Sequence, residues 1–287
     1  MPAMDDLILI AGCGYLGRRV AARLASAGHA VVGVSRQAAA PLPGVTMLGA
    51  DLASAGDLAR LPPGISHVLY AVSTGGRART ETEYRTGFLD PLAALTAHGL
   101  DCWPHWRRTV LISSTGVYGQ ADGAWVDETS ETRPLRPAGR VMLEAEALVS
   151  ARTPGPVTLR LAGIYGPGRQ RLITAARRGE TPGPEEDRWL NQIHADDAAR
   201  LAAELLTDAA PPPRVVGVDR APARRSEVLA WLRDRLGVAS DPTVTSGPGR
   251  DRADKRCRSR VADAPWYRLE YPTFREGYGA LLEGEGA

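Results

Sequence analysis

The hydrophobic residues of the chain follow two patterns, one typical of strands and one typical of helices. Leu7–Ala11 is a continuous apolar run, as expected for a strand that is buried on both faces. The next segment, Arg18–Ala27, has helical spacing and ends at Gly28. The same two patterns predict further strands at Ala30–Val34, Val45–Leu48, Val68–Ala71, Thr109–Ile112 and Val157–Leu161, and further helices at Thr80–His98 and Arg140–Ala151. Strands and helices that alternate at this pitch predict an α/β fold with a doubly wound parallel sheet.

The alternation of strand and helix patterns is less regular after Gly166, and we expect a different fold for this part of the chain. The pattern predicts a strand at Val215–Val218 and helices at Ala195–Leu206, Ser226–Leu236 and Phe274–Leu282. Thr245–Arg260 is polar and rich in glycine and charge, so we expect it to be mobile or ordered by a ligand. This part is too interrupted for a second half-sheet, and we predict a small C-terminal cap or substrate domain. The predicted boundaries are 1–165 for the sheet domain, rejoined by 190–220, with 166–189 and 221–287 forming the cap.

Composition narrows the classes of protein to which the chain can belong. Of its 287 residues, 44% are hydrophobic and 24% are charged, which is ordinary for a globular protein. The formal net charge of +2, without a long basic run, argues against a nucleic-acid partner. No apolar run approaches the roughly 18 residues of a membrane span, and the acidic start leads straight into a strand. We therefore expect no membrane partner and no signal peptide.

Cysteine and lysine usage adds two expectations. The three cysteines, Cys13, Cys102 and Cys257, lie far apart and lack the spacing of metal ligands. We expect no metal site and a reducing, cytoplasmic compartment. Lys255 is the only lysine, so a mechanism that requires an active-site lysine has one candidate.

A glycine-rich turn joins the first predicted strand to the first predicted helix. Its pattern is Gly-x-Gly-x-x-Gly, in which the first two glycines let the backbone approach a pyrophosphate and the third lets the helix pack on the strand. The N–H groups at the helix N-terminus then bind the anion. This context predicts a Rossmann-type dinucleotide site. We expect cofactor contacts from Gly12, Gly14, Tyr15, Leu16, Gly17, Ser35, Arg36, Asp51 and Ala71.

The end of the second strand indicates which dinucleotide is bound. An acidic residue there binds the ribose 2′-hydroxyl of NAD(H), whereas an arginine accommodates the 2′-phosphate of NADP(H). The chain has Ser35 and Arg36 at this point and no carboxylate. We therefore favour NADP(H) over NAD(H); the alternative interpretation of Arg36 is a solvent-facing side chain. Asp51, after the third strand, would lie near the adenine or act as a helix N-terminal acid.

Four ordered motifs resemble those of a known superfamily. They are the glycine turn, Ser113–Gly119 (SSTGVYG), Arg160–Gly168 (RLAGIYGPG) and Ile193–Asp197 (IHADD). With them, the chain resembles the extended, epimerase/dehydratase-like branch of the short-chain dehydrogenase/reductase superfamily, and it is similar to atypical NAD-dependent epimerase/dehydratase proteins. The resemblance covers nearly the whole chain and implies a Rossmann sheet with a nicotinamide cofactor. It does not select an activity, because the superfamily includes reductases, epimerases, dehydratases, lyases and redox sensors.

The resemblance implies one catalytic residue and the loss of two others. The family's catalytic serine lies four residues before the tyrosine of the VYG motif, which gives Ser114 before Tyr118. Its implied role is to hydrogen-bond the substrate oxygen beside the nicotinamide. The family's general acid is a tyrosine whose pKa is lowered by a lysine four residues later. Alignment on the surrounding Gly-Arg and Leu-Glu-Ala-Glu residues puts Ala138 and Met142 at these positions, and neither can transfer a proton.

Other side chains must then supply the acid. Tyr118, Tyr165 and His194 are the candidates, because each follows a predicted strand or adjoins a family motif, and histidine titrates near neutral pH. Each also has a structural interpretation. Tyr118 could pack under the following loop, Tyr165 could form the floor of the nicotinamide site as a cofactor contact, and His194 could tie the cap to the sheet.

Four residues are the predicted substrate contacts. Thr115 adjoins the implied catalytic serine, and Trp125 could act as an aromatic lid, although packing would explain it nearly as well. Arg188 and Asn191 precede the IHADD motif, in a region that touches substrate in the resembled branch. We interpret Cys102–Trp106 as a surface loop or contact patch.

Three functions remain open from the sequence. The first is an NADP(H)-dependent enzyme that reduces, epimerises or dehydrates a small carbonyl, hydroxyl or sugar-like substrate with a non-standard acid. The second is a non-redox lyase or isomerase on the same scaffold. The third is a regulatory protein that senses NADPH. By analogy with the resembled proteins, Thr80–His98 and Arg140–Ala151 could form a homodimer interface.

Overall fold

The described part of the computed structural model comprises residues 6–36, 40–241, 243–244 and 253–285. Its strands are β1 Leu7–Ala11, β2 Ala30–Ser35, β3 Val45–Gly49, β4 Ile65–Tyr70, β5 Arg108–Ser114, β6 Ala124–Val126, β7 Pro156–Leu161, β8 Gly163–Tyr165, β9 Trp189–Leu190, β10 Gln192–His194, β11 Arg214–Gly217, β12 Ala223–Arg224 and β13 Lys255–Cys257. Its helices are α1 Tyr15–Ser26, α2 Ala55–Leu58, α3 Glu81–Tyr84, α4 Asp90–Cys102, α5 Pro137–Arg152, α6 Arg171–Arg177, α7 Ala195–Thr207, α8 Arg225–Leu236 and α9 Phe274–Glu285.

Seven of these strands form the central parallel sheet, in the order β11-β7-β5-β4-β1-β2-β3. β1 pairs in parallel with β2 on one side and with β4 on the other, so the chain reverses its direction of winding at β1. All six residues of β4 are buried, as expected for a strand with helices on both faces of its sheet. The predicted α/β fold with a doubly wound parallel sheet is therefore confirmed.

Most predicted elements lie within a few residues of their observed bounds. α1 begins at Tyr15, three residues before the predicted start, directly after the glycine turn. The predicted helix Thr80–His98 consists of α3, a π-helical turn over Arg85–Leu89, and α4. Thr80 caps its start, because its side chain accepts the Glu83 N–H while the Glu83 carboxylate accepts the Thr80 N–H.

Two expectations from the sequence need refinement. The described residues of Thr245–Arg260 include β13, which pairs in parallel with β6; residues 245–252 lie outside the described part. The run Cys102–Trp106 is a surface turn only in part, because Cys102, Pro104 and His105 are exposed whereas its two tryptophans are not. Trp103 and Trp106 are buried in the core, with their rings edge to face at a centroid distance of 5.5 Å. Burial is favoured because each tryptophan ring has a large apolar surface to remove from water.

The chain divides into two compact units. The first comprises the described residues up to Ser114 together with Arg136–Arg160 and Ala199–Val215, and the second comprises Thr115–Leu135, Leu161–Ala198 and the described residues from Val216 onward. This division differs from the predicted boundaries because it assigns 115–135, 161–165, 190–198 and 216–220 to the second unit. Each unit has its own core. The core of the first includes side chains of β1, β2, β4 and α4, whereas that of the second includes side chains of α6, α8 and α9.

Candidate functional site

The glycine turn between β1 and α1 is shaped by close backbone contacts. Gly12 has a φ of 94°, and a Cβ built on it would lie 2.4 Å from the backbone nitrogen of Val72. A Cβ on Gly17 would lie 2.4 Å from the Gly12 carbonyl oxygen. Glycine is therefore required at both positions, the first for its conformation and both for space. A Cβ on Gly14, by contrast, would meet no atom within 4 Å, so this glycine faces open space.

The N-terminus of α1 has the properties of an anion site. Gly14 is its N-cap residue, no side chain caps the helix, and its first turn contains no acidic residue. The helix dipole and the N–H groups of this turn favour a negative group placed against it. The turn thus fits a dinucleotide pyrophosphate, both by its cradle of glycines and by its uncapped helix. Tyr15, the first residue of α1, lies under the Arg19 guanidinium at 4.1 Å from the ring centroid, and Leu16 is buried.

The predicted adenosine contacts lie at the carboxyl ends of neighbouring strands in the first unit. Ser35 is the half-buried last residue of β2, and Arg36 follows it with an exposed side chain. Ala71 follows β4, and its N–H donates to the Ala11 carbonyl at 2.8 Å. The Asp51 carboxylate accepts the Ala53 N–H at 3.0 Å, so it also stabilises the turn that leads into α2. These ends are where an open α/β sheet binds its ligand.

Buried charges connect β5 to α5 and β7. The Arg160 guanidinium donates to both carboxylate oxygens of Glu146, at 2.9 and 2.6 Å, and Ser113 Oγ donates to the same carboxylate at 2.6 Å. Arg160 and Glu146 are only 2% and 6% exposed, so their charges depend on each other for compensation. Ser114, the implied catalytic serine, is the half-buried last residue of β5 and follows this network directly.

The two positions predicted to replace the family's proton-transfer pair lie on α5. Ala138 is in its first turn, and Met142 is one turn later. Met142 is half-buried and packs against the core of the first unit. Its thioether is therefore a packing group at this place in the helix.

Tyr118 is buried, and its hydroxyl donates to the Asp127 carbonyl at 2.7 Å. Asp127 in turn begins a tight turn, because its carboxylate accepts the Thr129 N–H at 3.0 Å and the Thr129 hydroxyl at 2.7 Å. The phenol proton of Tyr118 is thus shared with a backbone oxygen, in keeping with its structural interpretation as a support of the following loop.

Tyr165 and His194 belong to one buried aromatic cluster in the second unit. Tyr165 stacks on Tyr278 at a centroid distance of 4.4 Å and meets His194 edge to face at 5.3 Å, while His194 lies 4.0 Å from the Tyr271 ring. His194 Nδ1 accepts the Asp196 N–H at 3.3 Å. Burial raises the pKa of Tyr165 far above its usual range, so its hydroxyl stays protonated.

A stack of alternating cations and aromatic rings runs across the second unit. The Arg256 guanidinium lies between the Trp125 and Trp189 rings, at 4.7 and 4.9 Å from their centroids, and Arg224 covers Trp189 at 4.7 Å. Trp125 is 46% exposed, so one end of the stack faces solvent. Cation–π attraction stabilises such an arrangement. Trp125 is therefore an exposed ring with the Arg256 guanidinium against it, and the other end of the stack is the Arg224 guanidinium.

The other two predicted substrate residues, Arg188 and Asn191, differ in how their side chains are placed. Asn191 is committed to β13: its Nδ2 donates to the Lys255 carbonyl at 2.9 Å, and its Oδ1 accepts the Cys257 N–H at 2.5 Å. Arg188 lines an open, polar cavity with Asp122, Asp187 and Arg224. Thr115 is buried, and its hydroxyl lowers the pKa of the Cys257 thiol slightly against the larger, opposite effect of burial.

A second cavity in this unit was not expected from the sequence. It has a volume of about 260 Å³, and its lining includes Trp125, Asp219, Cys257 and Tyr267. The Asp219 carboxyl is 4% exposed and accepts one N–H, from Ala221 at 3.3 Å. Burial raises the pKa of Asp219 to about 8, and the nearby carboxylates of Glu276 and Asp197 add to the effect. Asp219 follows a strand end, but nothing in the local sequence marks it as buried.

Two features are absent from residues 6–36, 40–241, 243–244 and 253–285, a cluster of possible metal ligands and a membrane-spanning helix. No three or more His, Cys, Asp or Glu side chains in these ranges are grouped to hold a metal ion. The same ranges contain no helix with the length and apolar character that crossing a membrane requires.

The fold and the glycine turn define a Rossmann-type α/β protein. The model of the NAD dependent epimerase/dehydratase family matches residues 8–218, and the chain belongs to this family. The resemblance stated from the sequence is thereby confirmed at the level of the family. A search of curated proteins gives no significant match.

Solved structures similar to this chain include family members and nucleotide-sugar enzymes. A putative NAD-dependent epimerase/dehydratase from Methylobacillus flagellatus is 33% identical, with 99% of this chain and 100% of that chain covered and a TM-score of 0.82. MoeE5 in complex with UDP-glucose and NAD is 24% identical, with 98% of each chain covered and a TM-score of 0.79. DesIV, a dTDP-glucose 4,6-dehydratase from Streptomyces venezuelae with NAD bound, is 19% identical, with 97% and 96% covered and a TM-score of 0.79.

Proposed function

We propose that the protein is a nicotinamide-dinucleotide-dependent enzyme that oxidises or reduces a small hydroxyl or carbonyl substrate, as a step of reduction, epimerisation or dehydration. The observation that carries this proposal is the glycine turn. A Cβ on Gly12 or on Gly17 would lie 2.4 Å from a backbone atom, so both must be glycine, and Gly14 faces open space at an uncapped helix N-terminus. A turn that served packing alone would not need this open, positively polarised end. When bound, the nicotinamide would supply or accept the hydride.

The dinucleotide that we favour is NADP(H). Arg36 is exposed directly after β2, and in the described part of the chain its guanidinium makes no ion pair. A 2′-phosphate would give it a charge-assisted, bidentate partner. The structures of MoeE5 and DesIV contain NAD, so the preference of this chain depends on its own Ser35–Arg36 pair.

The substrate class that we favour is sugar-like, and a nucleotide sugar is its leading example. MoeE5 is described with UDP-glucose, and DesIV acts on dTDP-glucose. The exposed Trp125 ring and the cavity that includes Arg188 and Arg224 offer stacking and cationic groups suited to a base and its phosphates. Ser114, at the end of β5, would hydrogen-bond the reacting oxygen of the substrate.

A titration with dinucleotides tests the cofactor. We expect calorimetry to give micromolar binding of NADPH, weaker binding of NADH, and a loss of about 10- to 100-fold in NADPH affinity in Arg36→Ala. Arg152→Ala, an exposed arginine at the end of α5, is the matched control and should bind NADPH like the wild type. Absence of binding to either dinucleotide would contradict the proposal, and equal effects of both substitutions would contradict the role of Arg36.

A regulatory NADPH-binding protein is the second candidate. Ala138 and Met142 on α5 favour it, because a sensor does not need the proton-transfer pair. The two candidates differ in turnover. An enzyme converts some member of a carbonyl and nucleotide-sugar panel and loses this conversion in Ser114→Ala, whereas a sensor binds NADPH without turnover. A net reduction is followed by nicotinamide absorbance, and epimerisation or dehydration, which return the hydride, by analysis of the product.

A further inference from the structure

The cavity of about 260 Å³ that Asp219 lines lies wholly within the second unit. Much of its wall is apolar, since Trp125, Val218, Pro222 and Ala262 contribute to the lining. A water molecule takes up about 30 Å³ of liquid, so this volume suits a ligand of about nine non-hydrogen atoms. We call this space the Asp219 cavity.

Two hydroxyl groups of the lining are already hydrogen-bonded to the protein. The Tyr267 hydroxyl accepts the Val218 N–H at 3.0 Å and donates to the Val216 carbonyl at 2.9 Å. Ser259 Oγ donates to the Glu128 carboxylate at 2.7 Å. Both hydroxyls therefore serve the structure of the wall, and a ligand would have to displace a protein partner to bond them.

Two guanidinium groups of the lining already have carboxylate partners. Arg220 donates to the Ala262 carbonyl at 2.9 Å and pairs with Asp263 at 3.5 Å. Arg258 pairs with Asp127 at 3.4 Å. Their charges are thus balanced by neighbouring acids, and neither arginine compensates Asp219.

Asp219 differs from these groups because it is buried and has hardly any partner. Its side chain accepts only the Ala221 N–H, at 3.3 Å, and within the described residues it makes no other hydrogen bond and no ion pair. The backbone holds it in place, since its own N–H donates to the Gln192 carbonyl at 2.8 Å. A carboxylate has about four acceptor positions, and a residue that is 4% exposed has little water to fill them. Such a group is costly unless a ligand satisfies it.

The charges around Asp219 favour a positively charged ligand. Burial raises the pKa of Asp219, and the nearby Glu276 and Asp197 carboxylates raise it further. The same negative field that opposes a further carboxylate attracts a cation. A phosphate or carboxylate ligand would meet repulsion at this wall of the cavity.

We propose that the Asp219 cavity binds a small organic amine, whose ammonium group pairs with the Asp219 carboxylate and whose apolar body contacts Trp125 and Pro222. A charge-assisted hydrogen bond would supply the partner that the carboxylate lacks. The apolar wall would remove the body of the ligand from water. This site is additional to the dinucleotide site and does not rest on the proposed function.

Calorimetry on the full chain without dinucleotide tests the site. The probe is phenethylamine, which has nine non-hydrogen atoms, and the control is 2-phenylethanol, which has the same size without the charge. At pH 8.5 we expect the amine to bind at least about tenfold more tightly than the alcohol. Absence of amine binding, or equal affinity for both compounds, would overturn the proposal.

Two substitutions locate the bound amine. Asp219→Asn keeps an acceptor for the Ala221 N–H but removes the charge, so it should lower the amine affinity at least about tenfold and change the alcohol affinity little. Asp234→Asn, at an exposed position on α8, is the matched control. Ala262→Leu should weaken the binding of both compounds, because its larger side chain would fill part of the cavity. Wild-type amine affinity in Asp219→Asn or in Ala262→Leu would overturn the proposal.

The affinity for the amine should also depend on pH. Below its pKa of about 8, Asp219 must release a proton before it can pair with the ammonium group. The amine affinity should therefore increase about tenfold or more from pH 6.5 to pH 8.5, whereas that of 2-phenylethanol should stay constant. An amine affinity that is the same at both pH values would overturn the pairing with Asp219.

Other groups around the cavity keep their charge over this range of pH. Guanidinium groups are always protonated in proteins. Burial raises the pKa of the Cys257 thiol to about 11, and the Thr273 hydroxyl holds the pKa of Glu276 below its usual range. Burial likewise raises the pKa of three phenols near Asp219 far above their usual range, those of Tyr165, Tyr267 and Tyr278. The pH dependence of amine binding therefore reports on Asp219.

Discussion

At the scale of single residues, burial decides which thiols can react. Cys13 and Cys257 are buried, and burial raises the pKa of each to about 11, whereas Cys102 is exposed. The thiolate is the reactive form, and at pH 8 only about 0.1% of each buried thiol is ionised to thiolate. We expect one fast-reacting thiol when the native protein is treated with Ellman's reagent, and none in Cys102→Ser. Two or more fast-reacting thiols in the native wild type would contradict the prediction that burial protects Cys13 and Cys257.

Asp219 makes stability depend on pH. Its pKa is about 8 in the folded chain, against about 3.9 when unfolded, so the folded state binds more protons between these values. Its contribution to stability is therefore fully present below about pH 4 and is lost as the pH rises through about 8. Asp219→Asn keeps an acceptor for the Ala221 N–H but cannot ionise. The free energy of unfolding of the variant minus that of the wild type should be several kcal/mol larger at pH 8.5 than at pH 5.5.

Thermal unfolding at the two pH values measures this difference. Comparing the change in Tm of the variant with that of the wild type removes the contribution of all other titrating groups. Parallel pH dependence in the two proteins would show that Asp219 is ionised in the folded state at pH 5.5.

At the scale of elements, the pair formed by Glu146 and Arg160 joins α5 to β7, and Ser113 adds β5 to the same carboxylate. Arg160→Met should destabilise the protein by about 3–5 kcal/mol, because it leaves a buried carboxylate without compensation. Replacing both residues, in Arg160→Met with Glu146→Leu, should restore much of this loss. Urea unfolding gives the free energy of unfolding of the single and double variants. A double variant that is no more stable than the single one would count against a buried ion pair.

Periodicity determined which elements were predictable. β1, α1 and β2 have long apolar patterns with a glycine between them, and their predicted bounds agree closely with the observed ones. β6 and β13 were missed, because each has three residues and their pairing joins positions more than 120 apart in sequence. The Trp103 and Trp106 side chains were misplaced for a related reason: no local pattern shows that the core reaches beyond the end of α4.

The candidate site shows the same limit. The glycine turn is a local motif, so sequence alone predicted its residues and their physical roles. The Asn191 amide bonds the backbone of Lys255 and Cys257, and no spacing in the sequence reveals this contact. Lys255 was noticed only because the chain has no other lysine; its burial comes from the tertiary structure.

At the scale of the whole molecule, ligand binding and stability are linked through the glycine turn. A ligand that binds only the folded state stabilises it by about 2.7 kcal/mol at a concentration 100 times its Kd. Saturating NADPH should therefore raise the Tm of the wild type by several degrees. The increase tests binding without any assumption about the substrate or the reaction.

Gly14→Asp separates the fold from the cofactor site. A Cβ at this position meets no atom within 4 Å. Gly14 has a φ of −94° and a ψ of −141°, outside the β region usual for an N-cap residue, so both variants at this position carry the same backbone cost and are compared with each other. Its carboxylate would stand at the helix N-terminus where the pyrophosphate binds, and repulsion should abolish the increase in Tm with NADPH. Gly14→Ala, which adds the Cβ without the charge, should keep most of the increase. A full increase in Gly14→Asp would mean that the dinucleotide does not bind at this helix.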